Sequence, residues 1–403
     1  MPSVVAHSGI NAGDVNGNTV NYSLDNQNSS TEVPGISDAD RQRGWVQLNS
    51  GNDNVLAYYL TDEDTVILLR RADSEHYLER LPDDRALADV SLPGSHESAS
   101  LYGGFISICQ TVNVEQQLKD GIRFFDIRLK SQEGDLKCYH GIQNENSTLK
   151  EQVGWMNDFL RSHPRETIVC SIKQEDDNAD DFPQLVYDTF KESGLWRFDE
   201  TLPTLGDARG RGVLFTRHHK NRDDQFPDGM GIHPDSWPDN RTDGFEWNCN
   251  GIPFRIHDWY GIDGPNQVGP KADAVCSFLE PTLNPRGNGN GSDHPYTMIF
   301  TSASKFPAAT PAVVAKGDSA GGVGSVLSQG AAFFTNLTSG AGMSAATTAG
   351  EGVNSRLIRW LLQRAKDGKR PRATIMADFY QEGGSGDAGV SGLLMALNFI
   401  NND

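Results

Sequence analysis

The chain has 403 residues, 37% hydrophobic and 22% charged, enough for one large α/β barrel with an appendage or for two medium domains. Its formal charge of −19 excludes a nucleic-acid partner, because it repels phosphates at long range, and it disfavours adsorption to anionic membranes by charge alone. No run approaches the roughly 18 apolar residues of a membrane span, and the first residues lack a signal-type leader.

Residues 1 to about 42 are rich in Asn, Ser, Gly and Asp, and they read as a loop-rich lead-in. WVQLNSGNDNVLAYYLTDEDTVILLRR (45–71) carries apolar, β-branched runs between turn residues, which predicts short antiparallel strands forming a small accessory β unit. These two segments make an expected extension over 1–85. From residue 86 strands alternate with helices. ADVSLPGSH (88–96) reads as a strand ending at its glycine, TVNVEQQLKDG (111–121) as a helix, and IRFFDIRLK (122–130) and LKCYHG (136–141) as strands. LKEQVGWMNDFLRSHP (149–164) predicts an amphipathic helix, and ETIVCSIKQE (166–175) a buried strand. GVLFTR (212–217), FRIHDWY (254–260), YTMIFTSAS (296–304) and ATIMADFY (373–380) complete the set. This alternation implies an α/β fold, a distorted (β/α)8 TIM-type barrel over 86–403. Residues 317–353 read as a long Gly/Ala/Ser/Thr-rich loop with Phe333 and Phe334 at its tip.

Polar residues gather at the C-terminal ends of these strands: His96, Arg128, His140, Lys173, Arg217, Asp258 and Asp378. A barrel brings such ends to one face, where barrel enzymes do their chemistry. Two histidines there can act as base and acid across one phosphate, since their ordinary pKa near 6.5 suits both roles. Asp126 and Arg128 share one side of their strand, and a guanidinium at the mouth suits a phosphoryl oxygen. Lys173 is expected to pair with a carboxylate. The five cysteines, Cys109, Cys138, Cys170, Cys249 and Cys276, form no CxxC pair, which argues against a zinc site. Their odd number and the lack of a leader favour the cytoplasm over secretion.

LPGSHES, GIRFFDIRL, CYHG and FLRSHPRETIVCSIKQE, in that order, resemble the catalytic X region of phosphatidylinositol-specific phospholipases C. RGRGVLFTR, SWPDN, HDWY, FTSAS and ADFY continue the resemblance to the bacterial single-domain branch. The resemblance implies that His96 takes the proton of the inositol 2-hydroxyl, oriented by Asp378. Arg128 would stabilise charge on the phosphate, and His140 would protonate the departing diacylglycerol oxygen. Lys173, Arg217 and Asp258, beside Asp126, would hold the inositol, with Tyr260 stacked on its ring. Glu97 stands where that branch usually has Asp, one methylene shorter. The calcium-dependent branch has acidic residues at the positions of Arg128 and Lys173, so the resemblance implies chemistry without metal or cofactor. The expected partners are the head group of phosphatidylinositol or of a GPI anchor and, transiently, a membrane surface, touched by a monomer through Leu101, Tyr102, Phe105 and Ile106 or through Phe333 and Phe334. Two other readings stay open: a metal-dependent barrel phosphodiesterase acting on other glycerophospho- or sphingolipids, and a catalytically silent lipid- or inositol-binding module.

Overall fold

The computed structural model describes residues 1–175, 179–218, 226, 228–234, 236–283, 295–306, 308–317, 350–382 and 388–400. Its first strands are β1 (Ser3–Ala6), β2 (Asn11–Asn16), β3 (Thr19–Leu24), β4 (Gln27–Glu32), β5 (Trp45–Leu48), β6 (Val55–Leu60) and β7 (Thr65–Arg70). The first 42 residues are therefore not loop-rich. β2, β3 and β4 form an antiparallel meander, and β1 runs parallel to β7 at the edge of the β1–β7–β6–β5 sheet. The alternation in β3 is short but real: Val20, Tyr22 and Leu24 point inward, while the Asn and Ser between them face out. Asp25 and Asn26, both at positive φ, make the tight turn into β4. One face of β5–β7 packs on this meander through Val46, Val55, Ala57, Val66 and Leu68. The other face packs Trp45, Leu56, Tyr58, Ile67 and Leu69 on the helix Val353–Lys366 and its neighbours.

The remaining strands are β8 (Ser91–Ser95), β9 (Phe124–Gln132), β10 (Asp135–His140), β11 (Gln143–Thr148), β12 (Ile168–Gln174), β13 (Trp196–Arg197), β14 (Gly212–Arg217), β15 (Phe245–Cys249), β16 (Ile252–His257), β17 (Tyr296–Phe300) and β18 (Ala373–Ala377). They form one sheet, nine of them in the order β13–β14–β12–β9–β8–β18–β17–β16–β15, parallel except for β15, with β10 and β11 added as an antiparallel hairpin beside β9. Among the described residues no backbone ladder joins β14 to β16. Phe215 of β14 instead meets Trp247 of β15 and Phe254 of β16, with ring centroids 6.4 Å apart in each case. The barrel is thus distorted, closed on that side by aromatic packing.

Alternation fixes what each barrel strand offers. Phe125, Ile127 and Leu129 of β9 face the helices, as do Ile168, Cys170 and Ile172 of β12. Phe124, Val169, Val213, Phe215, Met298 and Met376 fill the interior. Two or four residues further along the same inward rows come Arg128, Lys173, Arg217 and Asp378, so a polar layer caps an apolar core. β8 runs one residue past Gly94 instead of ending there. A Cβ at Gly94 would meet Met376 Cγ at 2.9 Å and Phe124 Cβ at 3.1 Å, so glycine is needed for close strand packing rather than for a turn. At the floor, Arg123 and Glu166 form a fully buried pair at 2.9 Å, and Arg123 also donates to the carbonyls of Leu118, Ile122, Ser74 and Glu75.

Candidate active site

The turn after β8 is tight. His96 lies on it, and Glu97 follows at φ 44, a left-handed conformation uncommon for a residue with a Cβ. The turn is held by Ser98, whose hydroxyl bonds Ser95 and receives the Asp126 N–H, and by Gln110, which donates to the carbonyls of His96 and Ala377. His96 Nδ1 meets Asp378 Oδ1 at 2.7 Å, and Arg128 Nη2 approaches His96 Nε2 at 2.9 Å. A guanidinium can only donate, so Nε2 carries the lone pair and Nδ1 donates its proton to Asp378.

Arg128 is the hub. It pairs with Asp126 at 3.1 Å, with Glu97 at 2.6 Å and with Glu175 at 3.6 Å. Burial opposes its charge, but Asp126 and Glu97 outweigh that and raise its pKa well above the ordinary value. Burial likewise pushes the Asp126 carboxyl up, and Arg128 with Arg217 overcomes this to hold it well below the usual carboxylate range. Lys173 has the carboxylate partner expected, Glu175 at 2.6 Å. Burial, then repulsion from Arg128, nevertheless lowers the Lys173 pKa.

His140 does not end a barrel strand. β10 pairs antiparallel with β9, which overshoots the barrel mouth, and the returning strand drops His140 back onto it. His140 Nδ1 donates to the Ser107 carbonyl at 2.7 Å, and its Nε2 lies 3.7 Å from Glu97 Oε1. Glu97 therefore stands between Arg128 and the second histidine.

His96, Arg128, His140, Lys173, Arg217, Asp258, Tyr260 and Asp378 all line one cavity of about 350 Å³. Asp126 and Glu97 sit behind its wall, almost fully buried, and hold Arg128 and Arg217 rather than forming the surface. Several cavity residues were not singled out from the sequence. Trp237, inside the SWPDN motif, lies 4.3 Å under the Arg217 guanidinium and donates to Asp258 at 2.8 Å. Asp239, from the same motif, receives the Tyr260 hydroxyl. Cys109 lines the cavity beside the dyad, and burial, then the Asp378 and Glu97 charges, hold its thiol proton on. Beneath the mouth, Lys271 is fully buried and donates to the carbonyls of Trp259 and Phe300 at 2.7 and 2.8 Å.

A family profile described as phosphatidylinositol-specific phospholipase C, X domain, matches residues 84–218, the stretch that carries His96, Glu97, Arg128, His140, Lys173 and Arg217. Residues 84–218 thus carry the X domain of this family. It is 30% identical over 163 residues to a 1-phosphatidylinositol phosphodiesterase of Listeria monocytogenes, a match covering 37% of this chain and 50% of that protein. It is 27% identical over 222 residues to its namesake from Staphylococcus aureus strain Newman, covering 51% of this chain and 69% of that protein. The chain thus spans half the length of the one relative and about two thirds of the other. In fold, the chain resembles the S. aureus phospholipase C structure at a TM-score of 0.59, with 19% identity over 81% of this chain and 97% of that one. The L. monocytogenes enzyme gives 0.55, with 20% identity over 82% and 99%.

Proposed function

We propose that this X-domain protein is a metal-independent phosphodiesterase that cleaves the glycerol–phosphate ester of phosphatidylinositol, free or in a GPI anchor. The carrying observation is the Asp378–His96–Arg128 array on one side of the cavity with His140 on the other. His96 Nε2 takes the proton of the inositol 2-hydroxyl once the substrate phosphate draws Arg128 away from it. The freed oxygen attacks the neighbouring phosphorus, an arrangement built into the substrate. Asp378 stabilises the imidazolium that forms, and Arg128 the charge on the phosphate. His140, whose Nε2 faces Glu97, gives the Nε2 proton to the departing glycerol oxygen. The products are inositol 1,2-cyclic phosphate and diacylglycerol. Hydrolysis of the cyclic ester follows with the two histidines exchanging roles.

Lys173, Arg217 and Asp258 offer donors and acceptors for the inositol hydroxyls, and Tyr260 stands at the rim to cover the ring. Two fixed cations, Arg128 and Lys173, supply the positive charge that a bound dication would bring, and neither can ligate one. Large apolar side chains follow the strand ends around the mouth: Tyr102, Ile106, Ile142, Tyr260 and Phe306 are all exposed. They support contact with a lipid surface without a basic patch. Phe333, Phe334 and the Phe105 side chain, also expected in this rim, lie outside the described residues.

The test is turnover of vesicles of phosphatidylinositol, phosphatidylcholine or sphingomyelin in excess chelator. Release of diacylglycerol from phosphatidylinositol alone is expected. Activity that appears only on adding a divalent metal, or only with the other lipids, would replace this reading with a metal-dependent one.

A further inference from the structure

The end of the barrel opposite the active-site cavity carries an excess of positive charge. A second cavity there, of about 200 Å³, is lined by Arg85, Lys369, Arg370 and Arg372 and, among the described residues, by no acidic side chain. Arg85 precedes β8, and Arg370 and Arg372 precede β18, its neighbour in the sheet. In a chain of charge −19, four cations around one cavity run against the overall balance. Backbone carbonyls hold the guanidinium groups in place. Arg372 Nη1 donates to the Thr282 and Leu283 carbonyls at 3.3 and 3.2 Å, and Arg85 Nη1 to the Asn398 carbonyl at 3.5 Å.

Arg370 is the residue that asks for a ligand. It is only 9% exposed, and a charge buried to that degree is ordinarily paired. Its Nη1 donates to the Asp89 carbonyl at 2.7 Å and approaches Ser91 Oγ at 3.5 Å. Among the described residues its Nε and Nη2 meet no acceptor, and no carboxylate forms an ion pair with it. The Asp89 carboxylate faces Arg372 Nε instead, at 3.6 Å. Burial, then repulsion from Arg372 and Arg85, pulls the Arg370 pKa down, with Asp89 alone acting the other way. Asp84 offsets part of the charge on Arg85 from outside the lining. Fixed guanidinium forks match the oxygens of a phosphate group, and several cations without a lining anion suit a dianion better than a single carboxylate. The cavity is several times the ~30 Å³ of one water, which gives such a group room.

We propose that this basal cavity binds a phosphate dianion, either inorganic phosphate or the phosphate group of a small phosphomonoester. The anion supplies the partner that Arg370 lacks, with Arg372, Arg85 and the exposed Lys369 around it. Six strand steps separate Arg372 from Asp378, roughly 20 Å, so the site is distinct from the active-site cavity and can be filled without touching it. By bridging the segments that lead into β8 and β18, the bound anion stabilises the base of the barrel. The site stands independently of the function proposed above.

The experiment titrates inorganic phosphate and, separately, glucose 6-phosphate into the full chain by calorimetry, and reads thermal unfolding alongside. It is run in ~0.15 M sodium chloride, which screens an exposed basic patch but much less a buried one. One equivalent is expected that survives Arg128→Met, a change confined to the active-site cavity. At a ligand concentration 100-fold above its Kd, the folding equilibrium should shift ~100-fold toward the folded state. Arg370→Met should weaken this binding at least ~100-fold, as loss of one partner of a buried pair does. Lys369→Glu, on the surface, removes and reverses one charge and should weaken it ~10-fold. Equal or tighter binding of glucose 6-phosphate would support the site and assign it to a phosphomonoester, whereas binding of inorganic phosphate alone would support it and assign it to the free ion. No binding by either, or binding lost with Arg128→Met and kept with Arg370→Met, would overturn the site. If Arg370→Met does not fold, an affinity unchanged by Lys369→Glu would overturn it.

Discussion

Arg128 donates to His96 Nε2 at 2.9 Å while Asp378 takes the proton on Nδ1 at 2.7 Å, so the two neighbours together fix one tautomer of the histidine. That tautomer is the one a general base needs. Asp378→Asn keeps the shape but loses the charge that stabilises the imidazolium. We expect kcat to fall at least ~100-fold, with KM little changed. A loss confined to KM would assign Asp378 to substrate binding instead.

His96→Ala and His140→Ala should each lower turnover at least ~100-fold, as loss of a base or an acid does. Near-normal activity in either variant would contradict its assignment. The two should also separate on a substrate with a good leaving group, which needs no protonation. His140→Ala should recover most of its rate there, and His96→Ala should not.

Glu97 reaches both sides of the site, with its Oε1 2.6 Å from Arg128 Nη1 and 3.7 Å from His140 Nε2. Glu97→Asp withdraws the carboxylate by about one C–C bond, and an error near 1 Å can cost ~100-fold in rate. Glu97→Gln keeps the reach and loses the charge. We expect both to slow the leaving-group step, so each should lose more rate on phosphatidylinositol than on a substrate with a good leaving group. Equal losses on the two substrates would limit Glu97 to holding Arg128.

Lys271 is pulled down to about 7 by burial, against the pull of Asp258 and Asp378, whereas its ordinary value is 10.5. Between those pH values the unfolded chain holds the proton and the folded one does not, so this residue's contribution to stability rises with pH across that window. His257 beside it is held down to about 4 by burial and by Lys271, and titrates outside the window. The wild type should therefore gain on Lys271→Met in paired urea unfolding as pH rises from 7 toward 10, with no change in the gap below 6. Parallel curves would show that the lysine titrates normally.

The floor pair gives a prediction for stability. Arg123 and Glu166 are wholly buried, and removing one leaves the other charge without a partner. Arg123→Met should cost ~3–5 kcal/mol in denaturant unfolding, and adding Glu166→Leu should return much of it. If the double variant were no better than the single one, the carbonyl contacts of Arg123 would be the larger part of its role.

Much of this site is legible in the sequence because period-two alternation is local. Phe124, Asp126 and Arg128 must share one side of β9, and Lys173, Arg217 and Asp378 follow the same rule on their strands. His140 shows where that rule stops. CYHG reads as a strand in any sheet, and only tertiary pairing reveals that β10 runs antiparallel and returns its histidine from above. The same limit hid Trp237, whose partners Arg217 and Asp258 come from other elements. The N-terminal meander was missed because its three-residue apolar rows are dilute among Asn and Ser, and they become a core only against β5–β7.

The apolar rim makes the membrane contact testable apart from the chemistry. Ile142, 95% exposed at the β10–β11 turn, and Ile106, 46% exposed, present apolar surface to solvent. Each side chain could contribute ~2 kcal/mol when buried in an apolar phase. Ile142→Ser with Ile106→Ser should reduce binding to phosphatidylinositol vesicles at least ~10-fold and leave turnover of a water-soluble inositol phosphodiester intact. Equal losses on both substrates would place these residues in the fold rather than at a lipid surface.

The central claim is internal attack by the inositol 2-hydroxyl, driven by two histidines without metal. Phosphorus NMR of phosphatidylinositol incubated with the protein in chelator follows it directly. The cyclic 1,2-phosphate should appear first, and inositol 1-phosphate only later, as the cyclic ester is hydrolysed. Inositol 1-phosphate formed from the outset with no cyclic signal, or no product until metal is added, would contradict the account.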